Sequence, residues 1–166
     1  MTPITHALLP AVLSSPLLPR TGRGEYYRAA GIIAIAGIVP DIVDPHVSLA
    51  ARYSSWSHTI LACAGFAVLV IVLALVFPRR LSLRLALLAA FAYSIHVLVD
   101  GLSGGVPAWY PFSGEIFRVR LIRWHYWLHF DAAFLLLSCV LFWWLPWWKW
   151  GGRRKGENPG EDPSLL

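Results

Sequence analysis

The sequence predicts an all-α fold, a polytopic bundle of about five helices set in a membrane. Three observations predict it. Of 166 residues, 57% are hydrophobic, and the mean hydropathy is +0.59. Only 14% are charged, where soluble domains carry about 25%. Finally, Thr59 to Phe77 runs for nineteen residues without a charge before Pro78-Arg79-Arg80 closes it. A hydrocarbon core of ~30 Å needs roughly 20 apolar residues at ~1.5 Å rise each. A soluble helix of that length with no polar face would be unusual.

The elements follow in chain order. A first helix, from about Thr5 to Leu18, is short or re-entrant, bent or broken near Pro10 and Pro16. A second covers Tyr27 to Val39 and is rich in small residues (Ala29, Ala30, Gly31, Ala34, Ala36, Gly37) that permit close helix contact. Thr59 to Phe77 is the third, Leu83 to Gly101 the fourth and Leu128 to Leu145 the fifth. The segment Leu102 to Trp127, with Trp109, Tyr110, Phe112, Trp124, Tyr126 and Trp127, reads as a loop at the membrane interface, where such rings prefer to sit. The cluster Trp143, Trp144, Trp147, Trp148 and Trp150 reads as anchors at the opposite face. Residues 1–148 thus form one membrane-embedded domain carrying the candidate site, and 149–166 a polar, disordered, cytoplasmic tail.

The net charge of +5 and pI of about 9.6 do not argue for nucleic acid. The basic residues sit in short clusters between apolar runs, the pattern of anionic headgroups and of membrane orientation. If alternate helix ends share a side, one face carries Arg20, Arg23, Arg28, Arg79, Arg80, Arg84, Lys149, Arg153, Arg154 and Lys155. The other carries Arg52, Arg118, Arg120 and Arg123. Ten against four favours the cytoplasm for the first face of a multi-pass membrane protein. Cys63 and Cys139 lie inside apolar runs and read as packing residues rather than a disulfide. The apolar start lacks a basic opening and holds four prolines, which argues against a cleaved signal peptide. Oligomeric state is not legible.

The ionisable groups other than Lys and Arg carry the chemistry. His6 opens the first helix, Asp41 and Asp44 follow the second, His58 opens the third, and His96 and Asp100 close the fourth. With alternating helix direction, these starts and ends fall on one membrane face, extracytoplasmic by the charge count. A carboxylate at depth in a membrane helix costs on the order of 2.5–3.5 kcal/mol. Three gathered together also repel and raise one another's pKa. Three Asp and three neutral His amount to a charge of about −3, which one or two divalent ions could balance. Mixed His and Asp ligation suits zinc, manganese or iron better than calcium. Each piece has a bland reading alone: His6 as packing, Asp41 and Asp44 as turn residues, His58 as an interfacial helix start, His96 and Asp100 as an i,i+4 pair. Their shared face turns the balance toward a metal site. His46, Glu115, His125, His129 and Asp131 are weaker candidates, Asp131 as a partner for a metal-bound histidine.

At these positions the chain resembles the YdjM-like family of membrane-bound, metal-dependent hydrolases, described as LexA-regulated inner-membrane proteins. The resemblance runs from His6 to about Phe112. It rests on Thr5-His6-Ala7-Leu8-Leu9, Pro40-Asp41-Ile42-Val43-Asp44, Ser57-His58-Thr59, and Ser94-Ile95-His96 through Asp100 with Gly105-Val106-Pro107 and Pro111-Phe112 after it. Two departures stand out. The two aspartates have two residues between them where the family has one, and Tyr53 and Ser54 stand where a His-Arg pair often precedes the third motif. The motif order is more distantly similar to zinc-dependent phospholipase C enzymes.

The residues and the resemblance together imply a metal-dependent hydrolase of an ester or phosphoester in an amphipathic, lipid-like substrate. One or two ions on His6, Asp41, Asp44, His58, His96 and Asp100 would lower the pKa of a bound water toward ~7. Asp44 and His58 are the expected catalytic residues, Asp44 as general base. The alternative is a non-catalytic membrane protein, a metal or proton carrier or a scaffold.

Overall fold

A computed structural model describes residues 2–19, 22–45, 48–121 and 123–145. The polar tail, Trp147, Trp148, Trp150 and His46 lie outside the described residues. Within them the chain is all-helical: α1 (Pro3–Ser14), α2 (Arg23–Val43), α3 (Leu49–Arg52), α4 (Ile60–Val76), α5 (Leu83–Ser103) and α6 (Trp127–Ser138). α3 is a single turn, so five helices build the bundle. No strand occurs among the described residues, only an isolated antiparallel bridge between Val106 and Phe117. Three helical stretches are long and apolar enough to cross a membrane: Arg23–Val43, Leu83–Ser103 and Trp127–Trp144. The seventeen residues of α4 sit at the lower end of the ~17–25 that suffice.

α2 and α5 form the centre, with α1 against α2, α4 against α5, and α6 outside α1. Small residues hold the contacts. Ala11, Ala29, Ala36, Ala89 and Ala92 are buried around Ile33, and Val70 and Ala74 meet Ala86 between α4 and α5. In lipid, such close approach substitutes packing for the hydrophobic drive that water would supply. Gly37 marks the tightest point: a Cβ there would collide with the His6 carbonyl oxygen and lie 2.8 Å from Pro10 Cγ.

Three boundaries differ from the sequence expectation: α2 starts at Arg23 rather than Tyr27, and the other two differences sit at prolines. α1 passes through Pro10 unbroken and ends in a 3-10 turn, Ser15–Leu17, that contains Pro16. α2 does not stop at Val39. It continues through Pro40 to Val43, and Asp44 N–H closes its last turn on the Pro40 carbonyl. The residue before a proline is biased away from helix, but here Pro40 is wholly buried and its carbonyl also accepts from Ser57 Oγ at 2.9 Å. Tertiary contacts therefore hold the extra turn, which makes α2 a full span.

Two other segments depart from simple helix and loop. Beyond Ser138 the last helix widens into π-helix over Cys139–Trp144. There the Tyr26 hydroxyl donates to the Leu141 carbonyl at 3.3 Å, an outside donor of the kind that disturbs an i→i+4 ladder. The segment after α5 is only partly at the surface. Val106, Pro107 and Ala108 are buried, whereas Trp109, Tyr110 and Phe112 are exposed. Hydrogen bonds from Val119 N–H to Gly101 O and from Leu121 N–H to Leu102 O fold it back on α5, and Ile60 N–H to Ala108 O ties it to α4.

Candidate metal centre

The C-terminal ends of α2 and α5, the start of α1 and the 3-10 turn Trp56–His58 before α4 meet at one end of the bundle. α2 contributes Asp41 from its last turn. His58 ends the 3-10 turn, and Thr59 then caps α4 by accepting from Ala62 N–H. His96 and Asp100, one turn apart, lie on the buried side of α5. His58, His96 and Asp100 are 0% exposed, while Asp41 keeps 22%.

Nε2 of His58 and Nε2 of His96 are 3.1 Å apart. His58 Nε2 is 3.4 Å from Asp41 Oδ1 and 3.4 Å from Asp100 Oδ2. His96 Nε2 is 3.6 Å and 3.4 Å from the same two oxygens. One donor atom from each of the four residues thus lies within 4.8 Å of the others. Ligands ~2.0–2.1 Å from a tetrahedral ion stand roughly 3.3–3.4 Å from each other. Five of the six edges, at 3.1–3.6 Å, match that spacing.

The surrounding hydrogen bonds decide which ring nitrogen carries the proton. His96 Nδ1 lies 2.7 Å from the Gly37 carbonyl, which can only accept, so Nδ1 holds the hydrogen and Nε2 the lone pair. His58 Nδ1 faces Ser55 Oγ at 2.8 Å and Ser57 Oγ at 3.0 Å. Ser55 Oγ gives its proton to Asp44 Oδ2 at 2.7 Å, and Ser57 Oγ gives its own to Pro40 O. Each hydroxyl has one hydrogen, so His58 Nδ1 is the donor, and in the neutral ring Nε2 keeps the lone pair, as it does in His96. Two imidazole lone pairs and two carboxylates converge on one buried point. Carboxylates gathered this closely need counter-charge, of which Arg52 beside Asp100 supplies a part, and the four converging residues fit a divalent metal.

The other predicted residues surround this group of four. His6 Nε2 lies 3.1 Å from Asp100 Oδ1, and its ring stacks on His96 with centroids 3.9 Å apart. α1 is too short to span, and burial pushes the His6 pKa down to about 4, so the imidazole is neutral near pH 7. Asp44 stands on the far side of His58, reached through Ser55. Asp131 departs from its expected role. Among the described residues it accepts from the Thr2 and Thr5 hydroxyls, both at 2.5 Å, because α6 packs on α1 rather than over the histidines. His125 and His129 flank the Tyr126 ring at the exposed start of α6, and Glu115 is exposed on the loop.

Sequence reasoning passed over Arg52, Ser55 and Ser57 as members of the site. Arg52 is only 7% exposed, and its guanidinium Nη1 is 2.7 Å from Asp100 Oδ1. A guanidinium therefore reaches the centre two positions upstream of Ser54, where the motif comparison had found none. Tyr53 points elsewhere, donating to Gly104 O at 3.2 Å and accepting from Arg118 at 3.0 Å. An arginine six residues before His58, in a chain with few charges, was the available signal.

Over residues 1–155 the chain matches the YdjM inner membrane protein family. It belongs to that family. The match reaches well beyond the motifs, taking in the loop and α6. No curated protein and no solved structure gives a match.

Proposed function

We propose that this member of the YdjM family is a metal-dependent hydrolase acting on a phosphoester in an amphipathic, lipid-like substrate. One observation carries the reading: the close meeting of His58 Nε2, His96 Nε2, Asp41 Oδ1 and Asp100 Oδ2, with each histidine nitrogen 3.1–3.6 Å from the other three atoms. Two nitrogens and two oxygens at that spacing suit one zinc ion, with manganese the next best fit. A divalent ion there supplies Lewis acidity and an acidified water.

The chain's own residues divide the remaining work. Ser55 and Asp44 hold the His58 ring in its tautomer, as a ligand's outer partners do. Gly37 O does the same for His96. Asp41, the one partly exposed member, marks the open side, and it is the carboxylate placed to take a proton from water arriving there. Exposed Ile42, Val43 and Trp56 adjoin Asp41 and Ser57 in the chain, which suits a substrate with an apolar part. Arg52 favours a phosphoester over a neutral ester, because a guanidinium beside Asp100 adds positive charge at the site. The excess of basic residues at the other end supports an extracytoplasmic position for the centre.

A carrier would need ionisable groups through the membrane depth. α2 has none between Arg28 and Asp41, and α5 has only Tyr93 between Arg84 and His96. That spacing favours the enzyme.

The test is elemental analysis of the detergent-purified protein, paired with hydrolysis of a chromogenic phosphodiester carrying an acyl chain. About one ion per chain is expected for a single tetrahedral centre. Turnover should vanish on chelation and in Asp41→Ala and His96→Ala variants that keep their helicity. A metal-free protein, or full turnover in either variant, would sink the reading.

A further inference from the structure

The opposite end of the bundle holds a second concentration of charge. The N-terminal parts of α2 and α5 and the turn after α4 enclose a cavity of about 230 Å³. Among the described residues Arg28, Arg79, Arg80 and Arg84 line it, with Glu25 as the one acid. Arg28 is anchored across the opening, its guanidinium donating to the Arg80 carbonyl at 2.9 Å. The lining on the membrane side is apolar, with Leu17, Leu85 and Leu88.

We propose that this cavity binds the phosphate headgroup of an anionic phospholipid, independently of any activity at the metal centre. Charge complementarity is the first argument. Four guanidiniums against one carboxylate in the described lining leave an excess of about three positive charges, a field that attracts an anion. Guanidinium groups also match phosphate geometry, two parallel N–H groups to two oxygens.

Position is the second argument. The 21 residues of α2 and of α5 each rise ~31 Å, one hydrocarbon thickness. Asp41 and Asp100 lie at one end of those helices and the arginines at the other. A cavity there opens at headgroup depth, with leucines where the acyl chains begin. Size is the third. The volume is below the roughly 300–1,000 Å³ of pockets that enclose a whole drug-sized ligand, so a headgroup fits and the chains remain in the bilayer. A phospholipid satisfies all three conditions, whereas free phosphate uses only the first.

Titration of the detergent-purified full chain with dihexanoyl phosphatidylglycerol, dihexanoyl phosphatidylcholine and inorganic phosphate, read by native mass spectrometry and thermal shift, tests the proposal. Phosphatidylglycerol is expected to bind saturably, one per chain, and more tightly than the other two. Arg80→Gln and Arg84→Gln should each weaken it about fivefold, the equivalent of ~1 kcal/mol per basic residue at a membrane surface. Arg84→Lys, which keeps the charge but loses the paired N–H groups, should weaken binding less than Arg84→Gln does, and Arg123→Gln at the other end should leave it unchanged. Unaltered affinity in the Arg80→Gln/Arg84→Gln double variant would overturn the proposal, as would equal binding of phosphatidylcholine. Inorganic phosphate binding as tightly as phosphatidylglycerol would overturn the lipid assignment.

Discussion

The two ends of α2 and α5 both concentrate charge, yet they handle it in opposite ways. At one end Asp100, His58 and His96 are fully buried, the two serines beside His58 are themselves held, Ser55 by Asp44 and Ser57 by Pro40 O, and Gly37 O holds the His96 ring. At the other end Arg28, Arg79, Arg80 and Arg84 are exposed around an open cavity. Charge removed from water must be compensated by fixed partners, and those partners then fix its geometry. Charge left in water needs no such shell and specifies little beyond a field. The first arrangement can orient ligand atoms to a few tenths of an ångström. The second can attract an anion without dictating its pose.

This contrast can be broken most forcefully at Asp100. Asp100→Ala strips the buried Arg52 and His6 of their shared oxygen along with one corner of the metal group. Removing one partner of a buried ion pair costs about 3–5 kcal/mol, so a large drop in melting temperature in detergent should accompany loss of the bound metal. A variant that melts like the parent would show that the site end is not held by this network.

Gly37→Ala probes the packing that brings His6 to the cluster. A Cβ would press on the His6 carbonyl and Pro10, and such overpacking costs about 1–3 kcal/mol. Thermal melts beside a Gly31→Ala control, where a Cβ meets nothing within 4 Å, separate the clash from the simple loss of glycine. Equal effects at the two positions would count against a tight α1–α2 contact.

Ser55→Ala is milder still for the fold. It frees the His58 ring from the Asp44 link while leaving Ser57 Oγ in reach, and loss of such an outer partner typically lowers metal affinity about 10–100-fold. Competition with a chromogenic chelator measures it, and an unchanged affinity would remove Ser55 and Asp44 from the site. The smallest expected effect is at the other end. Arg79→Gln, on an exposed residue, should move the melting temperature in neutral detergent by no more than about 0.5 kcal/mol equivalent. A larger loss would mean that the arginines stabilise the fold as the buried cluster does.

Much of this contrast is visible in the letters alone, and some is not. The five helices fall where uncharged runs predict them, because crossing a bilayer is a requirement on each segment separately: length, apolarity and internal hydrogen bonding. The end of α2 was misplaced because the bias before Pro40 is local, whereas the contact that overrides it comes from Ser57, seventeen residues on. His58, His96, Asp41 and Asp100 stand out as ionisable groups in apolar surroundings. Arg52 does not, since an arginine at a helix end reads first as an orienting charge. Ser55 and Ser57 are silent as well: serine is common in turns, and only the path of 53–59 turns their hydroxyls toward His58.

The chain's membership of a membrane bundle, its helical segments other than the full length of α2, and its two charged ends were therefore determined by sequence, through hydropathy and the position of each charge relative to the nearest helix end. Tertiary structure alone decided that four of the six candidate ligands share a centre, with His6 and Asp44 beside it. It also decided which nitrogen of each histidine faces inward and that four arginines enclose a cavity. Those outcomes depend on how helices rotate and approach one another, which is set by the summed fit of alanines and glycines at their contacts and by no single residue's chemistry.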